Sequence, residues 1–170
     1  MAFKGEVLTV SELLALSGET LPGVQPPVGA LAKDASSVRH TAAGNARHCS
    51  DLIAGGEPLD VGWRFGILQT LDDYVSTVRR GGVELGAEVF AEEPPQTGSP
   101  ELDAAFAALA DHLAERDGWE APSWVQNAER AVDSWFPAVP SIFREEAEAQ
   151  SPRAFRQRGL FITERSLARA

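Results

Sequence analysis

The sequence predicts an all-α fold. Apolar residues recur at spacings of three and four in several segments, glycine and proline separate these segments, and no segment alternates in the manner of a strand. We expect one helical domain of about six to eight helices, with short helices punctuated by proline near the C-terminus.

The N-terminal region divides into a short helix and a linker. Residues 9–17 offer Thr9 or Ser11 as a cap and three leucines as an apolar side. Residues 19–28 carry three prolines, which favour extended chain. We therefore predict that 1–28 is an N-terminal arm, that 29–98 is a helical region, and that 99–170 is a C-terminal helical module, which forms one domain with 29–98 or stands separately.

Two helices are predicted in the middle of the chain. Residues 29–54 carry a thin apolar stripe, and residues 58–80 carry a wide one, with Pro58 in the first turn. The wider stripe predicts that 58–80 is the central helix. Its members are Val61, Phe65, Leu68, Leu71, Val75 and Val78, widened by Trp63, Ile67 and Tyr74. Gly81-Gly82 ends it, 83–93 forms a further short helix, and 94–100 is a connector.

The helix from Ser99 to Gly118 has complete boundary signals. Ser99 is an N-cap, Pro100 takes the first helical position, and Gly118 supplies a left-handed stop. After it, Ser123, Ser134 and Ser151 resemble caps of short helices, and Thr163 resembles the cap of a final turn.

The composition indicates a cytoplasmic protein. The chain has 170 residues, a net charge of −10 and a sequence pI near 4.7. The single cysteine excludes an internal disulfide, no apolar run spans a membrane, and the first residues do not form a signal peptide. The negative charge disfavours nucleic acid and suits a partner with a basic groove.

The titratable residues form no recognisable catalytic or metal-binding constellation. His112 and Glu115 share one helix face, where an ion pair is the simpler interpretation than half of a metal site. His40 and His48 are two helical turns apart, and Cys49 has no partnering base. We therefore predict no enzyme activity, no cofactor and no metal.

Two binding functions remain open. Lys33, Arg39, His40, Arg47 and His48 make 29–54 basic enough for an alternative function as a DNA-binding regulator of its own operon. The C-terminal module instead offers bulky aromatic side chains and arginines, which are common in protein interfaces. The candidate partner-binding residues are Trp119, Trp124, Trp135, Phe136, Phe155, Arg156, Arg158 and Phe161. The aromatic side chains are either core or interface, and the arginines either bind an acidic partner or pair with the chain's own acidic run, 144–150.

Four ordered blocks in 99–170 resemble a known bacterial family. They are the alanine-rich DAAFAALADHLAERDG, then APSWV (121–125), the Trp135-Phe136 pair, and SPRAFRQRGLFI (151–162). This order resembles the antitoxin-like proteins encoded beside AbiEii-type nucleotidyltransferase toxins. The family often carries an N-terminal helix-turn-helix, which residues 1–60 do not show. The resemblance implies a non-enzymatic antitoxin that neutralises its cognate toxin by direct protein–protein binding.

Overall fold

The computed structural model describes residues 37–167, all within one compact unit, and confirms the all-α fold. The predicted helix at 9–17 and the predicted linker at 19–28 lie outside these residues. Between 37 and 167 there is no strand, although one isolated parallel bridge joins Trp135 to Leu160. No helix in this part of the chain is long and apolar enough to cross a membrane.

Helix α1 spans Ala42–Ala54 and begins later than the stripe predicted. Thr41 is extended and caps the helix, because its Oγ1 accepts a hydrogen bond from the Gly44 amide at 3.1 Å. The predicted helical start is therefore wrong for 37–41. The predicted apolar face is correct within α1, where Ala42, Ala46 and Cys49 are buried.

A second helical run extends from residue 59 to residue 87 and contains a π-helical turn. Helix α2 (Leu59–Gly62) leads into the π turn (Trp63–Leu68) and then into α3 (Gln69–Ala87). Pro58 caps the run from the position before α2. The wider turn rotates the helical phase, so the predicted stripe is partly wrong: Phe65 is 44% exposed, whereas the predicted flanking residues Trp63, Ile67 and Tyr74 are buried.

The predicted break at Gly81-Gly82 is confirmed. Gly82 has a non-helical φ of 83° and ψ of 178°, so α3 is kinked there into two helical segments, and a 3₁₀ turn follows at Glu88–Phe90. The positive φ explains why glycine stands at this position. The predicted short helix after the break is present from residue 83 to residue 87 and continues as the 3₁₀ turn, although it ends before 93. The connector to the next helix is non-helical as expected.

Helix α4 (Pro100–Asp117) is the central element, contrary to the prediction for 58–80. Its predicted boundaries are confirmed, since the Ser99 side chain caps it and Gly118 is left-handed with a φ of 77°. Every residue from 102 to 111 is buried. The sequence predicted one apolar stripe, but alanine and leucine fill the remaining faces and allow neighbours to pack on all sides.

The C-terminal segments consist of short 3₁₀ turns and short helices, and those that begin at Ser123 and Arg153 pack on α4. They are the 3₁₀ turns Ser123–Gln126, Ser141–Phe143 and Glu164–Ser166 and the helices α5 (Arg144–Gln150) and α6 (Arg153–Arg156). Three predicted caps are wrong. Ser123 is the first residue of its 3₁₀ turn, and Pro122 takes the cap position. Ser134 precedes no helix, and Ser151 ends α5, where its Oγ donates to the Leu160 carbonyl and accepts from the Ile162 amide. Pro152 takes the cap position of α6.

The close approach of α2 to α4 yields a stability prediction. A Cβ added at Gly62 would lie 2.5 Å from Leu102 Cδ1, whereas one added at Gly44 meets nothing nearer than Thr41 Oγ1 at 3.4 Å. We expect Gly62→Ala to lower the free energy of unfolding by about 1–3 kcal/mol. The control Gly44→Ala should leave it unchanged or raise it by up to about 1 kcal/mol. Urea denaturation measures both, and equal effects would contradict the close packing.

Candidate functional site

The two tryptophans that follow α4 belong to the core. Trp124 is buried, and its Nε1 donates a hydrogen bond to the Phe90 carbonyl at 3.0 Å. Trp119 is half-buried, stacks on Phe90 with ring centroids 5.8 Å apart, and donates from Nε1 to Tyr74 Oη at 3.0 Å. Both indole N–H groups donate to acceptors within this chain. The two rings therefore hold the C-terminal module against the end of the helical run.

A second aromatic group surrounds Trp63. Trp135 lies edge-on to Trp63 with centroids 5.8 Å apart, and the wholly buried Phe155 lies 6.5 Å away. Phe136 and Phe161 stack on each other at 5.1 Å, both half-buried, and Arg144 lies over Phe136. Among the six predicted aromatic candidates, Phe136 and Phe161 are thus the two that stack on each other while half-buried. Their stack lies beside Arg144, the first residue of α5.

The predicted arginines have different environments. Arg158 is buried: its Nη1 donates to Asp111 Oδ2 at 2.8 Å and to the Ala154 carbonyl at 2.7 Å, and its Nη2 donates to the Val125 carbonyl at 2.9 Å. Arg156 is exposed and forms no ion pair with the side chains of 37–167. Of the two predicted arginines, Arg156 alone is accessible to a partner in this conformation.

The acidic run of 144–150 is not what pairs with the tail. Arg153 bridges Asp111 Oδ1 at 3.0 Å and Glu115 Oε2 at 3.1 Å, and Arg158 shares Asp111. The acid partners lie on α4, about forty residues earlier in the chain. Glu145, Glu146 and Glu148 are exposed and form no ion pair within the described residues.

Sequence reasoning missed a pair of adjacent exposed apolar side chains. Ile142 is 81% exposed and Phe143 is 40% exposed, and together they form a ridge at the 3₁₀ turn that leads into α5. Beside Phe143 lies an apolar groove of about 490 Å³, lined mainly by Trp63, Leu68, Ala138 and Pro140, with Arg64, Arg165 and Asp60 at its edges. The sequence Pro-Ser-Ile-Phe could have indicated this exposed pair. A short turn that follows a proline cannot bury both of its apolar side chains.

The backbone supports this ridge at a strained position. Ala138 has a φ of 52°, the single positive φ of a non-glycine residue among residues 37–167. A left-handed alanine costs roughly 1–2 kcal/mol, so the surrounding segment must hold it in place. Strain of this kind occurs often at binding surfaces.

The titratable side chains considered in the sequence analysis take part in packing and ion pairing. Burial, reinforced by Asp103, raises the pKa of the Cys49 thiol to about 11, so it is protonated at neutral pH. Burial also lowers the pKa of His112, whose ring packs on Phe155 at 5.9 Å. Glu115 pairs with Arg153. Residues 37–167 hold no group of three or more metal-ligating side chains.

Comparison with family models, with curated proteins and with solved structures found no match to this chain. The assignment of a function therefore depends on the exposed surface and on the resemblance described above.

The buried Asp111–Arg158 ion pair predicts that Arg158 contributes to stability and that the exposed Arg156 does not. We expect Arg158→Met to lower the free energy of unfolding by about 3 kcal/mol or more, because it leaves Asp111 buried with only the half-exposed Arg153 as a partner. Arg156→Gln, the matched control, should change it by less than about 0.5 kcal/mol. Chemical denaturation measures both values, and a mild effect of Arg158→Met would show that the pair contributes little.

Cys49 gives a pH-dependent prediction. Burial raises its pKa in the folded chain to about 11, above the ordinary thiol value of 9.0, so the unfolded chain loses this proton first. Its contribution to stability is complete below pH 9 and is lost as the pH rises toward 11, by roughly 1–2 kcal/mol. Unfolding should therefore depend less on pH over this range in Cys49→Ala. Slow alkylation of native Cys49 at neutral pH, and fast alkylation in denaturant, is the accompanying result.

Proposed function

We propose that this chain is a non-enzymatic antitoxin that neutralises a nucleotidyltransferase-like toxin by direct binding in the bacterial cytoplasm. The observation that carries the proposal is the ridge of Ile142 and Phe143 beside the apolar groove. The block order of 99–170, similar to antitoxin-like partners of AbiEii-type toxins, supplies the class of partner.

The ridge is suited to insertion into a partner. Each square ångström of apolar surface removed from water stabilises a complex by about 25 cal/mol, and large side chains at the centre of an interface contribute most. Ile142 is held at the tip of a turn between Pro140 and α5, so little conformational freedom remains to be lost on binding.

Charge supports a basic partner. Glu145, Glu146 and Glu148 follow the ridge directly on α5 and remain exposed, within a chain of net charge −10. An enzyme that acts on RNA or nucleotides needs a basic groove around its substrate. The apolar ridge and the three exposed glutamates beside it, here called the acidic shoulder, complement such a basic groove. The negative charge also steers association.

DNA binding is the second candidate function. Arg39 and His40 are exposed just before α1 and form no ion pair among residues 37–167, which favours some anionic ligand. Arg47, by contrast, pairs with Glu92. A gel shift with the chain's own upstream DNA tests this candidate, and tight, sequence-specific binding by the isolated chain would place regulation ahead of neutralisation.

Co-expression with the neighbouring gene product is the test of the proposed function. We expect the two proteins to co-purify, and we expect the complex to lack the toxicity of the neighbouring protein alone. A chain that binds no product of its own operon would overturn the proposal.

Variants of the ridge distinguish interface from core. Ile142→Ala and Phe143→Ala should leave the free energy of unfolding within about 0.5 kcal/mol of the parent and weaken the complex by about 2 kcal/mol or more. Phe155→Ala is the control, because this side chain is wholly buried and its loss should cost about 3–5 kcal/mol of stability. Calorimetric titration and thermal melting measure the two effects, and undiminished affinity of both ridge variants would exclude the ridge from the interface.

The acidic shoulder has a separate kinetic signature. Reversal of Glu145 and Glu148 to lysine should slow association and reduce its salt dependence, with little change in dissociation. The control reverses two exposed acids outside the ridge, Glu57 and Glu84, to lysine, which changes the net charge by the same amount and should have a smaller effect. Surface plasmon resonance at two salt concentrations makes the comparison, and equal effects would indicate that only net charge matters.

A further inference from the structure

A small polar pocket lies between the segment before α1 and the middle of α3. Its volume is about 220 Å³, and its lining comprises Arg39, His40, Asp73, Ser76, Thr77 and Arg80. This pocket shares no residue with the ridge or the groove. It therefore provides a second surface, independent of the proposed antitoxin interface, and it contains the Arg39 and His40 on which the DNA-binding alternative rests.

Basic side chains converge on this pocket without acidic partners. Arg39, His40 and Arg80 are exposed, and none of them forms an ion pair within the described residues. The lining contains one acid, Asp73, whose carboxylate accepts hydrogen bonds from Asn45 Nδ2 at 2.8 Å and Gln69 Nε2 at 3.1 Å. The positive potential is thus left available, in a chain that is otherwise acidic.

The orientation of Arg80 is fixed by the fold. Its Nη1 donates to the Ser37 carbonyl at 3.3 Å and its Nη2 donates to Thr77 Oγ1 at 3.2 Å. Thr41 begins α1 next to His40, so the positive end of a 13-residue helix dipole lies close to the pocket. A held guanidinium, a second arginine, a histidine and the Ser76 hydroxyl are together the donors that a tetrahedral oxyanion requires.

We propose that this pocket binds a phosphate group, as inorganic phosphate or as the terminal group of a small phosphorylated metabolite. Arginine presents several donors in a planar fork that matches phosphate oxygens. The pocket is smaller than the sites of drug-sized ligands, which occupy about 300–1,000 Å³. A long nucleic acid is disfavoured because its further phosphates would meet a protein of net charge −10.

Calorimetric titration of the full chain with inorganic phosphate, in chloride buffer of low ionic strength, tests the proposal. We expect saturable binding at millimolar phosphate or below, weakened about tenfold in Arg39→Gln and in Arg80→Gln and lost in the double variant. The control Arg47→Gln removes the same charge from α1 outside the pocket, and it should bind as the parent does.

Backbone amide NMR locates the phosphate-binding site. Titration with adenosine monophosphate distinguishes a phosphorylated metabolite from the free phosphate ion as the ligand. Phosphate should shift the amides of 39–44 and 76–80 in the parent chain and not in the double variant. Tighter binding of adenosine monophosphate than of phosphate identifies a phosphorylated metabolite, and equal binding identifies the free ion. The proposal is overturned if phosphate gives no saturable binding, if Arg47→Gln weakens binding as much as the pocket variants, or if duplex DNA binds at these arginines and phosphate does not.

Discussion

The burial of α4 on every side is the constraint on which the rest of the fold depends. From 102 to 111 every residue of this helix is buried, with Asp103 and Asp111 the most exposed at 8% each. Gly62 and Gly66 of the preceding helical run leave the space into which Leu102 and Phe106 of α4 pack. Burial of this extent removes most apolar surface from water, and it obliges each neighbouring segment to cover one part of the helix. The 3₁₀ turn at Ser123–Gln126 and the helix α6 remain ordered because they pack on α4, since helices this short are not stable alone.

The same burial determines where the polar side chains must pair. Asp103 and Asp111 lie on α4 and are almost fully buried. Asp103 Oδ1 accepts from the Thr97 amide and hydroxyl, each at 2.8 Å, which fixes the connector before the helix. Asp111 accepts from Arg158, which fixes the segment after α6. An unpaired carboxylate at either position would cost several kilocalories per mole, so these two acids specify which arginine and which loop lie against them.

Local signals predicted what local interactions determine. The cap at Ser99, the proline at the first position of α4 and the left-handed Gly118 are encoded within a few residues, and all three were read correctly from the sequence. The phase of 59–87 was not, because a π turn leaves no distinct pattern of apolar residues, and Phe65 consequently lies on the exposed side. The roles of the arginines were equally hidden. Arg158 and Asp111 are separated by 47 residues, and only the packing of α6 on α4 brings them together.

The exposed ridge is compatible with a chain that does not associate with itself. An Ile-Phe pair in water favours self-association, and burying it in a second copy would bring two acidic α5 helices together. The exposed glutamates beside the ridge, within a net charge of −10, oppose that contact by repulsion. The repulsion becomes attraction toward a basic surface, so the same three glutamates disfavour the homodimer and favour the complementary partner. In the proposed complex, apolar contact would supply affinity and charge would supply the choice of partner.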